Sequence, residues 1–303
     1  MMQTYCKSGE ESLTLTCPID HQDTWVYLEA PETSEARAIA KTLGAKEELV
    51  LDALDLYEAP RFEVDHHATY IFLRYAGESD EAGTWPLLVA VTKSGVLTIT
   101  PNEARFLKAF AESGDYDTAD PMHLLIKILQ TVTSHYRHSL INIQRAVNRR
   151  KQLIGKMRSE HIIELTDYEG TVNDFMDALI PQGVALGKLA HGKSGVLTAK
   201  NQDLLNDVIL ATAELVELGR STLKTMENTR EAYSVIATHR LNNTMRFLTA
   251  LTIIVTVPNM VTGFYGMNLA LPFAGPGAAY GVLAFVVLFF IAAAIVLSRH
   301  KWL

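Results

Sequence analysis

From Phe247 to Ser298 the chain carries no Asp, Glu, Lys, Arg or His, an uncharged tract of 52 residues in a chain of 303. Such a tract rules out a purely soluble protein. Two segments inside it approach the length that crosses a hydrocarbon core. Phe247 to Phe264 gives 18 residues and Gly281 to Leu297 gives 17, each apolar on all sides. Between them, Tyr265 to Tyr280 holds Gly266, Pro272, Gly275, Pro276 and Gly277, which is a turn composition. Arg240 and Arg246 precede the first segment, Arg299 and Lys301 follow the second, and the connecting loop has no charge. Cationic flanks stay on the cytoplasmic side. The expected topology is therefore multi-pass, with two spans, an external loop at 265–280 and cytoplasmic N- and C-termini, in the cell (plasma) membrane. Tyr265, Tyr280 and Trp302 stand where interfacial aromatics belong.

Charge divides the remainder. Residues 1–120 hold 9 Lys/Arg against 22 Asp/Glu, and residues 121–246 hold 16 against 12. A strongly acidic head makes nucleic acid an unsuitable partner, because phosphate binding needs a basic surface. A metal cation is the more natural ligand. Cys6 and Cys17 are the only cysteines, too few for a disulfide framework. The first 30 residues have no continuous apolar run, so no signal peptide is expected and the bulk of the chain should be cytosolic.

Three parts are expected: a cytosolic α/β domain at 1–120, a cytosolic helical region at 121–246 that includes a long stalk, and a two-span membrane domain at 247–303 with a basic tail. In the first, Leu13–Cys17, Trp25–Glu29, Phe62–Asp65, Thr69–Arg74, Leu87–Thr92 and Val96–Thr100 read as strands. Lys93-Ser94-Gly95 reads as the turn of a hairpin, and Glu32–Leu43 and Lys46–Leu56 as helices. An open-faced sheet with helices results. No phosphate-cradling glycine loop and no nucleophile elbow is present, and no enzyme is expected. From Met122 to Met157 a long helix follows, and Arg145–Arg158 carries six basic residues and no acidic one. That run reads as a solvated face, or as a surface attracted to the acidic head or to anionic lipid. Pro181, Gly183, Gly187, Gly192 and Gly195 mark a break near 181–197. Asp203 to Val257 then has no Pro, and as one helix it would extend about 80 Å. A helix of that length needs partners, which implies a stalk in an oligomer.

The first apolar segment is not uniform. Thr249, Thr252, Thr256, Asn259 and Gly263 are spaced 3, 4, 3, 4 and share one helical stripe, which Met245 and Asn242 continue toward the N-terminus. Small and hydroxylated residues in such a row serve either as packing surface between helices or as the wall of a water-filled pore. Asn268, an amide at the outer end beside Gly266, favours the pore. Two spans cannot enclose a channel, so a pore requires several copies, with the first span inside and the second against lipid. The last carbonyls of the first span would each bring about half a negative charge to the outer mouth.

At Tyr265-Gly266-Met267-Asn268 the chain resembles the CorA family of divalent-cation channels and transporters, marked by a Gly-Met-Asn tripeptide ending the first of two C-terminal spans. The entry Asn242-Asn243-Thr244-Met245-Arg246-Phe247-Leu248-Thr249 and the tail Arg299-His300-Lys301-Trp302-Leu303 are similar to the family's as well. The resemblance implies a homopentamer with a funnel-shaped cytosolic domain, self-associated in the lipid bilayer. It also implies a selectivity filter at Gly266, Met267 and Asn268. Asn242, Met245, Leu248, Thr249, Thr252, Thr256, Asn259 and Gly263 would line the pore, with Met245 and Leu248 as apolar constrictions. It implies Mg²⁺ as the transported ion and as an intracellular regulator, with Asp207 and Glu231 on acidic regulatory positions. Asp65, Glu78 and Asp80 are candidate partners from the head. The chain departs from the family where Thr256 and Val257, rather than Met, precede Pro258, and where the loop after Asn268 lacks an acidic residue.

Transport of Zn²⁺, Co²⁺ or Ni²⁺ on the same architecture, with proton coupling, is the nearest alternative. A two-span anchored metal sensor is the alternative of another class. His135 and His138 read as a surface pair rather than ligands, because no third ligand lies nearby.

Overall fold

The computed structural model describes residues 2–6, 14–15, 23–65, 68–78, 83–191, 198–267 and 277–299. They form two compact units, Met1–Thr229 and Arg230–Leu303. The first is built on a seven-stranded sheet in the order β2-β1-β3-β7-β6-β5-β4. Its strands are β1 (Met2–Cys6), β2 (Thr14–Leu15), β3 (Thr24–Glu29), β4 (Arg61–Val64), β5 (Ala68–Ala76), β6 (Thr84–Thr92) and β7 (Gly95–Thr100). All neighbours are antiparallel except β3 and β7, which run parallel with Trp25 beside Val96.

Near-continuous burial along β3, β5 and β7 identifies a sheet covered on both faces. On one face, α1 (Thr33–Leu43) and α2 (Glu47–Asp52) bring Ala36, Ile39, Leu43 and Val50 onto Val26, Leu28, Tyr70, Phe72, Leu97 and Ile99. On the other, α3 (Arg105–Ser113), α4 (Pro121–Gln152) and α5 (Ser159–His191) cover the sheet. There Trp25 donates Nε1–H to Thr98 Oγ1 at 2.9 Å and sits among Tyr5, Phe110 and Tyr116. The sheet is thus not open-faced. The helix that closes the second face, α3, carries Leu107 and Ala111 inward among polar neighbours, and its short mixed sequence left no long periodic run to read.

Two further expectations change. A break near 181–197 is not observed up to His191: α5 passes through Pro181, Gly183 and Gly187 without ending. Pro181 removes one intrahelical donor, and α5 offsets this through tertiary packing. Gly183 faces Thr212, and Gly219 faces Val172 and Met176 across the contact with α6 (Ala199–Tyr265). Residues 192–197 lie outside the described set. Cys6, at this edge of the sheet, is disulfide-bonded; Cys17 lies outside the described residues. The stalk read from Asp203 to Val257 is part of α6, a single helix of 67 residues.

His135 is half-buried and its ring is engaged. Its ring stacks on Phe106 with centroids 4.2 Å apart, and Nε2 lies 3.0 Å from the carbonyl oxygen of Ala76. Burial outweighs the favourable influence of that carbonyl and of Glu78, and holds the imidazole below its ordinary pKa. His138, one turn on, is exposed. Arg74, on β5, is spent on the backbone. It donates to the carbonyls of Leu56, Glu58 and Thr84 and to Thr84 Oγ1, tying the loop after α2 to β6.

The expected hairpin turn is present, with Gly95 at φ +152°. A Cβ there would overlap the carbonyl oxygen of Thr24 on the neighbouring strand. Gly95→Ala is therefore expected to lower stability by about 1–3 kcal/mol. Gly170→Ala, on an open helical position with nothing within 4 Å, should be neutral or stabilising. Thermal melts of both variants check the contrast. A second expectation concerns acid. Because the folded state keeps His135 neutral while the unfolded chain protonates it near pH 6.5, its contribution to stability is complete above that pH and is lost as pH falls toward the lower folded value. His135→Gln keeps a donor for Ala76 but cannot titrate. Its melting temperature should fall less than the wild type's between about pH 7 and pH 5.

Candidate pore and metal positions

The second unit holds the end of α6 and α7 (Ala278–Arg299). α6 is long and apolar enough to cross a membrane; in α7 the apolar run over described side chains, Tyr280–Ala293, is shorter. Along α6, Ala250 is buried at 3 % exposure, and among the half-exposed residues of this unit's apolar part, which include Pro258, Ile254, Val257 and Val261 continue from it at a spacing of 4, 3, 4. α7 repeats the spacing with Val282, Val286, Phe289 and Ala293. Each helix therefore has one apolar seam less exposed than its other faces.

The polar stripe lies elsewhere. Thr249, Thr252, Thr256, Asn259 and Gly263 are all exposed, as are Asn242, Met245 and Leu248. At 100° per residue the stripe is centred about 150° around the helix from the seam. The seam was as legible as the stripe, since its 4-3-4 spacing is in the sequence. It was missed because Ala, Ile and Val do not stand out among other apolar residues.

Within the stripe the hydroxyls are oriented. Thr249 Oγ1 donates to the carbonyl oxygen of Met245 at 2.9 Å, and Thr252 Oγ1 to that of Leu248 at 2.8 Å. Each proton is turned back onto the helix, so what faces outward is the acceptor side of the oxygen. Pro258 brings no amide hydrogen and leaves the Ile254 carbonyl without its intrahelical donor. The helix closes at Tyr265, where Gly266 N donates to Thr262 O at 2.9 Å and Met267 N to Phe264 O at 3.3 Å. Gly266 and Met267 are exposed at this end; Asn268 lies outside the described residues.

The regulatory candidates Asp207 and Glu231 are both on α6, 24 positions apart in sequence. Asp207 is exposed on α6 and opens onto a cleft of about 340 Å³ lined by Gln130, Thr133, Ser134, Arg137, Val208 and Ala211. Arg137 is engaged by Glu214 at 3.0 Å. Glu231 is exposed, in the second unit. Of the head carboxylates, Asp65 accepts from Ala68 N and Tyr70 Oη, and Glu78 accepts from Phe106 N, so both have structural work; Asp80 is outside the described residues. Among the described residues no three His, Cys, Asp or Glu side chains gather to hold a metal. His135 and His138 do not add a site, since the first is held by Phe106 and Ala76.

Comparison with known proteins agrees over nearly the whole chain. The cobalt/magnesium transport protein CorA of Methanocaldococcus jannaschii is 22% identical over 295 residues, covering 94% of this chain and 92% of that protein. The complete structure of the CorA magnesium transporter from the same organism superposes with a TM-score of 0.85 at 20% identity, covering 100% of this chain and 99% of that one. The cytoplasmic domain of ZntB from Vibrio parahaemolyticus superposes with a TM-score of 0.65 at 12% identity, over 78% of this chain and 98% of that domain. Residues 20–299 match the family model for CorA-like Mg2+ transporter proteins, and the chain belongs to that family.

Proposed function

We propose that the chain is a divalent-cation channel or transporter that passes Mg²⁺, and Co²⁺ as a second ion, through a homopentamer in the plasma membrane. The observation that carries this reading is the opposition of two faces on α6. One face is apolar and partly covered; the other, bearing Thr249, Thr252, Thr256 and Asn259, is polar and left open. Outside a membrane such a stripe would be unremarkable. On a helix apolar enough to cross one, polar groups belong against water or against another copy rather than lipid. Several copies arranged with the stripes inward satisfy this and leave α7 to meet lipid.

The chemistry suits the ion. Mg²⁺ parts with its water shell reluctantly, so weak neutral acceptors touching the hydrated ion allow both capture and release. Hydroxyl oxygens whose protons are committed to Met245 and Leu248 are such acceptors. Asn268 and the terminal carbonyls of α6 would form the outer filter, and Met245 and Leu248 would close the inner end by excluding water. Asp207 and Glu231 would sense cytosolic Mg²⁺. Because a single chain gathers no cluster of ligands among its described residues, a regulatory ion would bridge carboxylates of neighbouring copies. Cobalt enters the reading because the curated relative is named for cobalt and magnesium transport.

The test is ion uptake into proteoliposomes with Mg²⁺, Co²⁺ and Zn²⁺ side by side. Mg²⁺ uptake down its gradient is expected. Saturable Zn²⁺ uptake without Mg²⁺ uptake, especially if driven by a proton gradient, overturns the choice of ion. Asn268→Ala should abolish flux while the oligomer stays assembled, and unchanged flux in that variant removes its filter role. Cysteines placed at Thr249, Thr252 and Thr256 should react with water-borne thiol reagents. Shielding at all three would assign the stripe to dry helix packing instead.

A further inference from the structure

The turn joining α4 to α5 carries charge that the transport reading does not use. Arg145, Arg149, Lys151, Lys156 and Arg158 are exposed, and none forms an ion pair among the described residues. Arg150 alone is paired, with Glu164 at 2.5 Å. The one other carboxylate close by in sequence is Glu160, itself exposed. At the apex stands Leu153, 48% exposed, with Ile163 63% exposed one turn into α5. A ring of unpaired cations around exposed aliphatic side chains is the composition of a surface that lies on anionic lipid, not that of an ordinary solvated face.

Its position in the first unit points the same way. α4 and α5 are antiparallel, with Tyr136 against Phe175 at 5.2 Å and Arg150 against Glu164. α5 and α6 are antiparallel too, since Gly183 faces Thr212 while Met176 and Val172 face Gly219. The basic turn is therefore at the end of this unit toward which α6 ascends to Thr229. There the chain leaves the unit, 17 residues before the apolar tract opens at Phe247.

We propose that the α4–α5 turn docks on the anionic headgroups of the cytoplasmic leaflet, with Leu153 entering the headgroup layer and Arg145, Arg149, Lys151, Lys156 and Arg158 supplying the attraction. An acidic patch of a second copy would satisfy the cations but would give exposed Leu153 nothing to enter. The inference rests on the membrane reading of the apolar tract and is independent of which ion passes.

The full-length protein, with Cys6→Ser and Cys17→Ser, is labelled with an environment-sensitive fluorophore at Leu153→Cys and reconstituted into nanodiscs. One set contains phosphatidylcholine alone, the other a fraction of phosphatidylglycerol, and both contain a headgroup spin-labelled quencher. Quenching is expected to be about two-fold or more stronger with phosphatidylglycerol. It should fall toward the phosphatidylcholine level in molar salt, where the Debye length shrinks to about 3 Å. Arg149→Glu with Lys151→Glu and Arg158→Glu should abolish the difference. If that variant fails to assemble, the lipid and salt comparisons on the label alone still decide. Equal quenching in both lipids, no quenching in either, or a label shielded by assembly regardless of lipid and salt would each overturn the proposal. The last would assign the turn to another copy. Mg²⁺ uptake by the labelled protein reports separately on transport.

Discussion

A helix that crosses from water into lipid must satisfy every backbone group by itself, because hydrocarbon offers no partner. α6 meets that constraint almost throughout by remaining one helix from Ala199 to Tyr265, closed at its end by the amides of Gly266 and Met267; the Ile254 carbonyl opposite Pro258 is the exception. With the backbone otherwise self-sufficient, side chains record the change of surroundings. They do so abruptly at Phe247, where charge disappears for 52 residues. Every functional assignment in the second unit follows from how those side chains are shared between faces of one cylinder. The price of such a design is that any polar residue on it must justify itself by what it meets.

The first unit solves a different problem. Its sheet is buried on both faces, so strands alternate between two cores and not between core and solvent. Val26 and Leu28 serve the α1–α2 face, while Trp25 anchors an aromatic cluster on the other. Three stacked helices then extend the second face. They hold together partly through glycines, as Gly219 lets Met176 and Val172 approach α6.

What was legible in the sequence followed the strength of each physical signal. The loss of charge, the 3-4-3-4 stripe and the hairpin at Lys93–Gly95 depend on patterns a few residues long, and they appear where they were read. α3 and β1 were not read, because neither has a distinctive period: β1 is short and half-covered, and α3 is a small amphipathic turn sequence. The break expected near 181–197 does not begin at Pro181, since α5 runs on to His191. Local propensity was correctly weak there, but packing against Thr212 and Gly219 outweighs it. His135 looked superficial because helical spacing alone cannot reveal Phe106 and Ala76 closing over it.

If the stripe lines the proposed pore, Thr249 and Thr252 would let an uncharged wall tell plus from minus. Their hydroxyl protons are bonded to the carbonyl oxygens of Met245 and Leu248. A halide arriving beside them would find only lone pairs and nothing to accept. A solvated cation, whose own waters point their hydrogens outward, would find ready recipients on every turn. In that proposed pore, discrimination by sign would follow from the direction of two covalent O–H bonds and would need no carboxylate on that surface.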